Sequence, residues 1–178
     1  MPKEDYATVI EYLPNGYPLE RKMMPLIQAI GKENFTLLEL VPRRGITIEI
    51  GEDVYIGEGK REKIYYILGR LKRERLTETA KTQLQEIIQK RVKENETKMV
   101  KFFNESGAIN KRMHLIELLP GMGKKHMKEI LKQREEKPFE TLKEMKERIP
   151  NLPDPEKAIE KRIFQELTNI EKYNLFTQ

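Results

Sequence analysis

Leu115-Ile116-Glu117-Leu118-Leu119-Pro120-Gly121-Met122-Gly123-Lys124-Lys125-His126-Met127-Lys128-Glu129-Ile130 decides how the C-terminal part of this 178-residue chain folds. Its apolar opening predicts a short helix that stops at Pro120-Gly121-Met122-Gly123, after which a second, amphipathic helix begins at once. Glycine accepts backbone angles that other residues resist, and without a Cβ it lets the main chain approach a ligand closely. The first turn of the second helix presents unpaired N–H groups and the positive end of its dipole, which favours an anion. Lys124 and Lys125 fall on that turn and Lys128 on the next. A phosphate gripped this way positions a strand without reading its bases.

Charge outward from this stretch is clustered. The chain carries a net charge of +5, yet two short segments hold all of it and the remainder is net negative. Residues 111–134 contain Lys111, Arg112, Lys124, Lys125, Lys128, Lys132 and Arg134 against Glu117 and Glu129. Residues 60–76 contain Lys60, Arg61, Lys63, Arg70, Lys72, Arg73 and Arg75 against Glu62 and Glu74. Focused positive charge of this kind is the usual footprint of a polyanionic partner, although a charge run also serves as a solvated face.

The chain changes character near residue 77. Before it, β-branched and aromatic residues in short runs broken by Gly and Pro predict strands. Tyr6–Leu13 is followed by the turn Pro14-Asn15-Gly16, and Leu26–Ile30 with Phe35–Val41 reads as a hairpin. Ile46–Ile50 alternates in the manner of a strand after the turn Arg43-Arg44-Gly45, and Val54–Ile56 follows. Ile64–Leu71 also fits a helical face, but Tyr65-Tyr66 and Gly69 favour a strand. The expectation is a small closed β-barrel over residues 1–76. Six tyrosines (Tyr6, Tyr12, Tyr17, Tyr55, Tyr65 and Tyr66) lie in it, and on an exposed face they would suit base stacking beside Arg43 and Arg44. Filling the barrel is the plainer use of each.

From Thr77 the pattern is helical. Thr77 is a candidate N-cap, and Leu84, Ile87, Ile88 and Val92 form an apolar stripe. Met99, Val100, Phe102 and Phe103 mark a second helix that ends at Ser106-Gly107. Residues 77–110 are expected to form a helical connector, and residues 111–178 an all-α domain. Asp154-Pro155 opens its last helix.

Leu119–Gly123 resembles the helix-hairpin-helix family, with Met127 standing where that family favours a small residue. The resemblance implies nucleic-acid binding through Pro120, Gly121, Met122, Gly123, Lys124, Lys125 and Lys128. It also implies a possible monovalent cation at the carbonyls of Glu117, Leu119 and Met122. The intact hairpin spans 115–131. A second, degenerate one spans 142–163, where Asn151 and Pro153 replace the glycines. Some members of that family use the hairpin for protein contacts. The whole chain resembles an uncharacterised archaeal family that pairs an oligonucleotide-binding-like (OB-like) barrel with such a domain. Ile48–Gly57, Phe35–Pro42 and Leu119–Gly123 carry that likeness.

Composition narrows the classes. With no cysteine there is no disulfide, zinc–thiolate site or thiol nucleophile. There is no apolar run long enough to span a bilayer, and Met1-Pro2-Lys3-Glu4-Asp5 lacks a signal peptide's apolar core, so a cytoplasmic protein is expected. His114 and His126 have no carboxylate partners at ligand spacing. The acidic loop Glu52, Asp53, Glu58 and Glu62 suggests a metal-dependent nuclease only weakly. The α+β, two-domain reading is therefore a non-enzymatic protein that binds RNA in preference to DNA, with no cofactor, metal, membrane or small-molecule substrate. Its binding residues would be the hairpin set together with Arg43, Arg44, Lys60, Arg61, Lys63, Arg70, Lys72 and Arg73. The alternative is a protein-interaction adaptor, motivated by the degenerate hairpin and the apolar tail Tyr173-Asn174-Leu175-Phe176.

Overall fold

A computed structural model describes residues 3–178; Met1 and Pro2, which begin the segment read above for a signal peptide, lie outside the described residues. Contacts divide the chain into two compact units, 1–87 with 166–178, and 88–165. The division does not fall at the expected positions after 76 and 110. One continuous helix crosses residue 87, and the C-terminal segment belongs with the strands.

In the first unit, β1 (Tyr6–Leu13), β2 (Leu26–Gly31), β3 (Leu37–Pro42), β4 (Asp53–Tyr55) and β5 (Ile64–Arg70) form a curled antiparallel sheet. Their order is β4-β1-β2-β3-β5. This is a half-barrel, and the expected closure is corrected: β4 and β5 are the two edges and do not pair. Ile46–Ile50 is likewise not a strand. Alternation alone does not make one, because a strand needs a partner. The outer side of β1 is occupied by β4, with Val9 also exchanging main-chain bonds with Gly51 and Glu52 (2.8 and 2.9 Å). The free side of β3 is occupied by β5. Ile48 nevertheless joins the core as a plug, beside Ala7, Val9, Ile27, Ala29, Leu38, Leu40, Val54, Ile56 and Ile64. These residues follow the period of two expected for one face of a pleated sheet.

β2 and β3 are buried on both faces, so polar side chains on them must be satisfied internally. The fully buried Gln28 donates to the Arg75 carbonyl (2.7 Å) and accepts from the Thr77 N–H (3.3 Å). Those bonds fix the start of α1 (Glu78–Glu94), where the Thr77 hydroxyl accepts the Ala80 N–H (3.1 Å) as the expected N-cap. At the other end of this unit, the buried Glu166 carboxylate accepts the N–H groups of Leu175, Phe176 and Thr177 (2.9–3.1 Å) and the Thr177 hydroxyl. A buried charge held by several donors in this way pins the tail.

The second unit carries α2 (Glu96–Glu105), a small pair β6 (Ala108–Asn110) and β7 (Met113–His114), then α3 (Lys124–Glu136), α4 (Leu142–Arg148) and α5 (Pro155–Thr168) up to residue 165. The pair β6–β7 was not expected. Asp154 opens α5 as anticipated, its carboxylate accepting the Glu156 and Lys157 N–H groups (3.0 and 3.3 Å). No helix among the described residues is long and apolar enough to cross a membrane.

Candidate nucleic-acid interface

The stretch 115–130 is a turn flanked by unequal helices. Leu115–Leu118 is a single 3-10 turn, where an apolar helix was expected. Two polar side chains shape it, the buried His114 and the half-buried Glu117. The His114 imidazole accepts the Ile116 N–H through Nδ1 (3.1 Å), and the Glu117 carboxylate accepts the His114 N–H (2.7 Å). This reciprocal cap satisfies main-chain donors that a helix start leaves open. Burial holds the His114 pKa below its ordinary 6.5, Arg134 adds to that, and Glu117 and the Ser106 main chain oppose it.

Gly121 then adopts φ 82°, which is costly for any residue with a Cβ. It is exposed, and a Cβ there would come no closer than 3.9 Å to Pro153 of the α4–α5 turn. Gly123 differs. Its φ of −100° suits any residue, and a Cβ built there meets nothing within 4 Å. Neither backbone conformation nor crowding therefore requires a glycine at this position. Met122 is buried and anchors the turn, with its N–H on the Leu119 carbonyl (3.0 Å). The Gly123 N–H donates to the His126 Nδ1 (3.3 Å). The amides of Gly121, Lys124 and Lys125 have no hydrogen-bond acceptor among the described residues, and Lys124, Lys125 and Lys128 are exposed and unpaired there. Pro120 and Met127 are half-buried.

Two residues that support this turn were not singled out from the sequence. Arg162, buried on α5, donates to the Leu118 carbonyl (3.3 Å). Arg134, counted above in the basic cluster, instead turns inward to the carbonyls of Phe103 and Ser106 (3.1 and 2.8 Å). The signal for Arg162 is its place within the apolar face Ala158, Ile159 and Ile163, all buried.

In the strand-bearing unit the nominated cations separate into two kinds. Arg44, Lys60, Arg70 and Lys72 are exposed and, among the described residues, unpaired. The others have structural partners. Arg43 donates to the Arg61 carbonyl (2.7 Å) and Arg61 to the Gly57 carbonyl (2.8 Å). Lys63 pairs with Glu52 (2.7 Å), and Arg73 donates twice to the Glu166 main-chain carbonyl (3.3 and 3.2 Å). Three of the four acidic-loop carboxylates are paired as well, Glu52 on that Lys63, Asp53 on Lys32 (2.7 Å) and Glu58 on Lys3 (3.2 Å). Among the described residues no group of three or more His, Asp or Glu is placed to hold a metal.

The tyrosines also divide. Tyr6, Tyr65 and Tyr66 are 47%, 63% and 37% exposed. Tyr12 packs on the core. Tyr17 is half-buried, hydrogen-bonded to Glu39 and Gln28 (both 3.1 Å) under the Arg75 guanidinium. Tyr55 meets Tyr6 edge-on at 5.3 Å, and its hydroxyl accepts the Gly59 N–H (3.0 Å). A Cβ on Gly57 would strike that hydroxyl at 2.4 Å and the ring at 2.6 Å, so the glycine there makes room for an aromatic.

Comparison with known proteins gives consistent results. The chain is 44% identical over 177 residues to the uncharacterized protein MJ0038 of Methanocaldococcus jannaschii, a match that takes in 98% of this chain and 80% of the relative. It superposes on the crystal structure of Af1531 from Archaeoglobus fulgidus with a TM-score of 0.85 at 43% identity, covering 98% of this chain and all of that one. Residues 3–178 match the model of a family described as protein of unknown function, DUF655. This chain belongs to the DUF655 family.

Proposed function

We propose that the protein is a non-enzymatic nucleic-acid-binding protein that takes RNA in preference to DNA and grips phosphate at Gly121–Lys125. One observation carries the reading. The amides of Gly121 in the bend and of Lys124 and Lys125 in the first turn of α3 have no acceptor among the described residues, and the ammonium groups of Lys124, Lys125 and Lys128 on the same two turns are exposed and unpaired there. Open amides and nearby cations are what a phosphate needs. In this reading the 3-10 turn, the Pro-Gly-Met-Gly bend and α3 act as a helix-hairpin-helix, and α4–α5 is its structural counterpart. The approach of Gly121 to Pro153 supports that pairing of turns. The curled five-stranded sheet is read as an OB-like barrel lacking closure, with Tyr65 and Tyr66 on its exposed edge strand available for stacking. Unpaired bases suit a surface that has no helix to insert in a groove.

The test is filter binding of single- and double-stranded RNA and DNA at two salt concentrations. Single-stranded RNA should bind best and weaken steeply with salt, and Lys124→Glu with Lys125→Glu should flatten the dependence. Wild-type affinity in that double variant would remove the central contact. A second reading, a protein-interaction adaptor, is favoured by the edge strand β5, which exposes Tyr65, Tyr66 and Leu68 together. The tail does not support it, since Leu175, Phe176 and Thr177 are held by Glu166. A partner that stays bound after nuclease treatment would select the adaptor.

A further inference from the structure

The strand-bearing unit contains a cleft of about 550 Å³ that the hairpin reading leaves unused. One wall is the end of β5 and the turn after it, Arg70 to Glu74; the other is the tail at Asn174, Thr177 and Gln178. Both walls are built firmly. Arg73 ties its wall to the Glu166 carbonyl, and the Glu166 carboxylate holds the tail through three amides and a hydroxyl. The buried carboxylate spends its acceptor positions on the tail, and the Arg73 guanidinium on the same residue's carbonyl offsets its charge. What remains at the rim is Arg70 and Lys72, both exposed and unpaired among the described residues, against Glu74.

A third feature points to the same place. Phe35, which lines the cleft, has φ 54°, and it is the non-glycine residue recorded with a positive φ among the described residues. The Glu4 carboxylate holds it there by accepting the N–H groups of Glu33 and Asn34 (both 2.8 Å) on one side and approaching that of Thr36 (3.5 Å) on the other. Backbone strain held in place by its surroundings recurs where ligands bind.

The geometry points to a nucleotide site in this cleft, for the terminal nucleotide of a strand entering through its phosphate monoester. The size is within the range of small-ligand sites, about 300–1,000 Å³. A monoester carries roughly −1.5 to −2 at neutral pH, whereas a phosphate within a strand carries a single charge, so an unpaired Arg–Lys pair favours an end. Arg70 supplies planar paired donors, Lys72 a point charge, and the amides of Asn174 and Gln178 stand opposite for sugar or base. The inference rests on the nucleic-acid reading above and adds which part of the strand this unit holds.

Calorimetry on the full chain with adenosine monophosphate, inorganic phosphate and adenosine tests the cleft. Anisotropy with an oligoribonucleotide bearing a phosphate at one end, at the other, or at neither tests the source. The monophosphate should bind one to one and at least about tenfold more tightly than adenosine, as expected for a charge-assisted contact. A phosphate at one end should tighten the oligonucleotide to a similar degree. Arg70→Ala with Lys72→Ala should abolish both preferences with an unchanged melting temperature, weakening the phosphate-ended strand by more than the hydroxyl-ended one so that the two bind alike. Equal binding of monophosphate and adenosine, or a preference that survives the double variant, overturns the site. Monophosphate binding without an end preference overturns its assignment to strands. The broader reading fails on a different result, namely no binding of the hydroxyl-ended strand at any salt concentration.

Discussion

Gly121 and Gly123 sit two residues apart in the same bend and do different work. Gly121 is bound to its place by conformation, since φ 82° is the left-handed region. Gly121→Ala should therefore lower stability by about 1–2 kcal/mol, although a methyl group has room beside Pro153. Gly123 has an ordinary φ and open space where a Cβ would stand. Its replacement by Ala should lower stability by about 0.5 kcal/mol, the difference between these residues at a helix N-cap. A methyl group there would stand between the open amides and an incoming phosphate. Loss of one such contact weakens binding by about tenfold. Denaturant unfolding and oligonucleotide anisotropy on the two variants separate the roles: Gly121→Ala is chiefly a stability variant, Gly123→Ala chiefly a binding one. Unaltered binding in Gly123→Ala would leave the glycine without a ligand to explain it.

The elements show which sequence signals are complete in themselves. Helix starts were legible because a cap is a local device: Thr77 and Asp154 each bond a donor two or three residues ahead. Strand β1 was legible over Tyr6–Leu13 because its turn signal is adjacent. The 46–50 segment was misread because alternation says which side chains face a core, and pairing depends on strands far off in the chain. The 3-10 turn at Leu115–Leu118 was taken for a helix because its apolar run is the same in either. The His114–Glu117 cap holds its start, and that cap depends on protonation. With its folded-state pKa below 6.5, His114 takes up a proton more readily in the unfolded chain. The stability it supplies is present above about pH 6.5 and lost as pH falls through the folded-state value. Asn can accept the Ile116 N–H without titrating. Unfolding of wild type and His114→Asn at pH 7.5 and 5.5 should show a larger loss in wild type; equal losses would mean that the imidazole is not the titrating group.

At the scale of the molecule, net charge is a poor guide and the state of each cation is a better one. The composition places +5 in each of two segments, but the structure withdraws several of those charges into internal duty. Lys63 is paired with Glu52, Arg73 is tied to the Glu166 carbonyl, and Arg134 lies on two carbonyls of the second unit. None of this was readable from spacing, since an arginine that caps a distant carbonyl and one that faces solvent look alike in sequence. The distinction has a measurable consequence. On a single strand each neutralised phosphate contributes about 0.7 to the slope of log K against log salt. Replacing Lys124, Lys125 and Lys128 by Ala should reduce that slope by about 2 while leaving the melting temperature in place, because the three are exposed and unpaired. Arg134→Ala removes one positive charge from the same segment and should do the reverse. It withdraws charge-assisted bonds from the Phe103 and Ser106 carbonyls, each worth about 1.5–3 kcal/mol, so the protein melts earlier while the slope holds. Salt titrations and melting curves on the two variants decide it: a slope that falls with Arg134 as it does with the lysines would show that total charge, and not the open bend, governs binding.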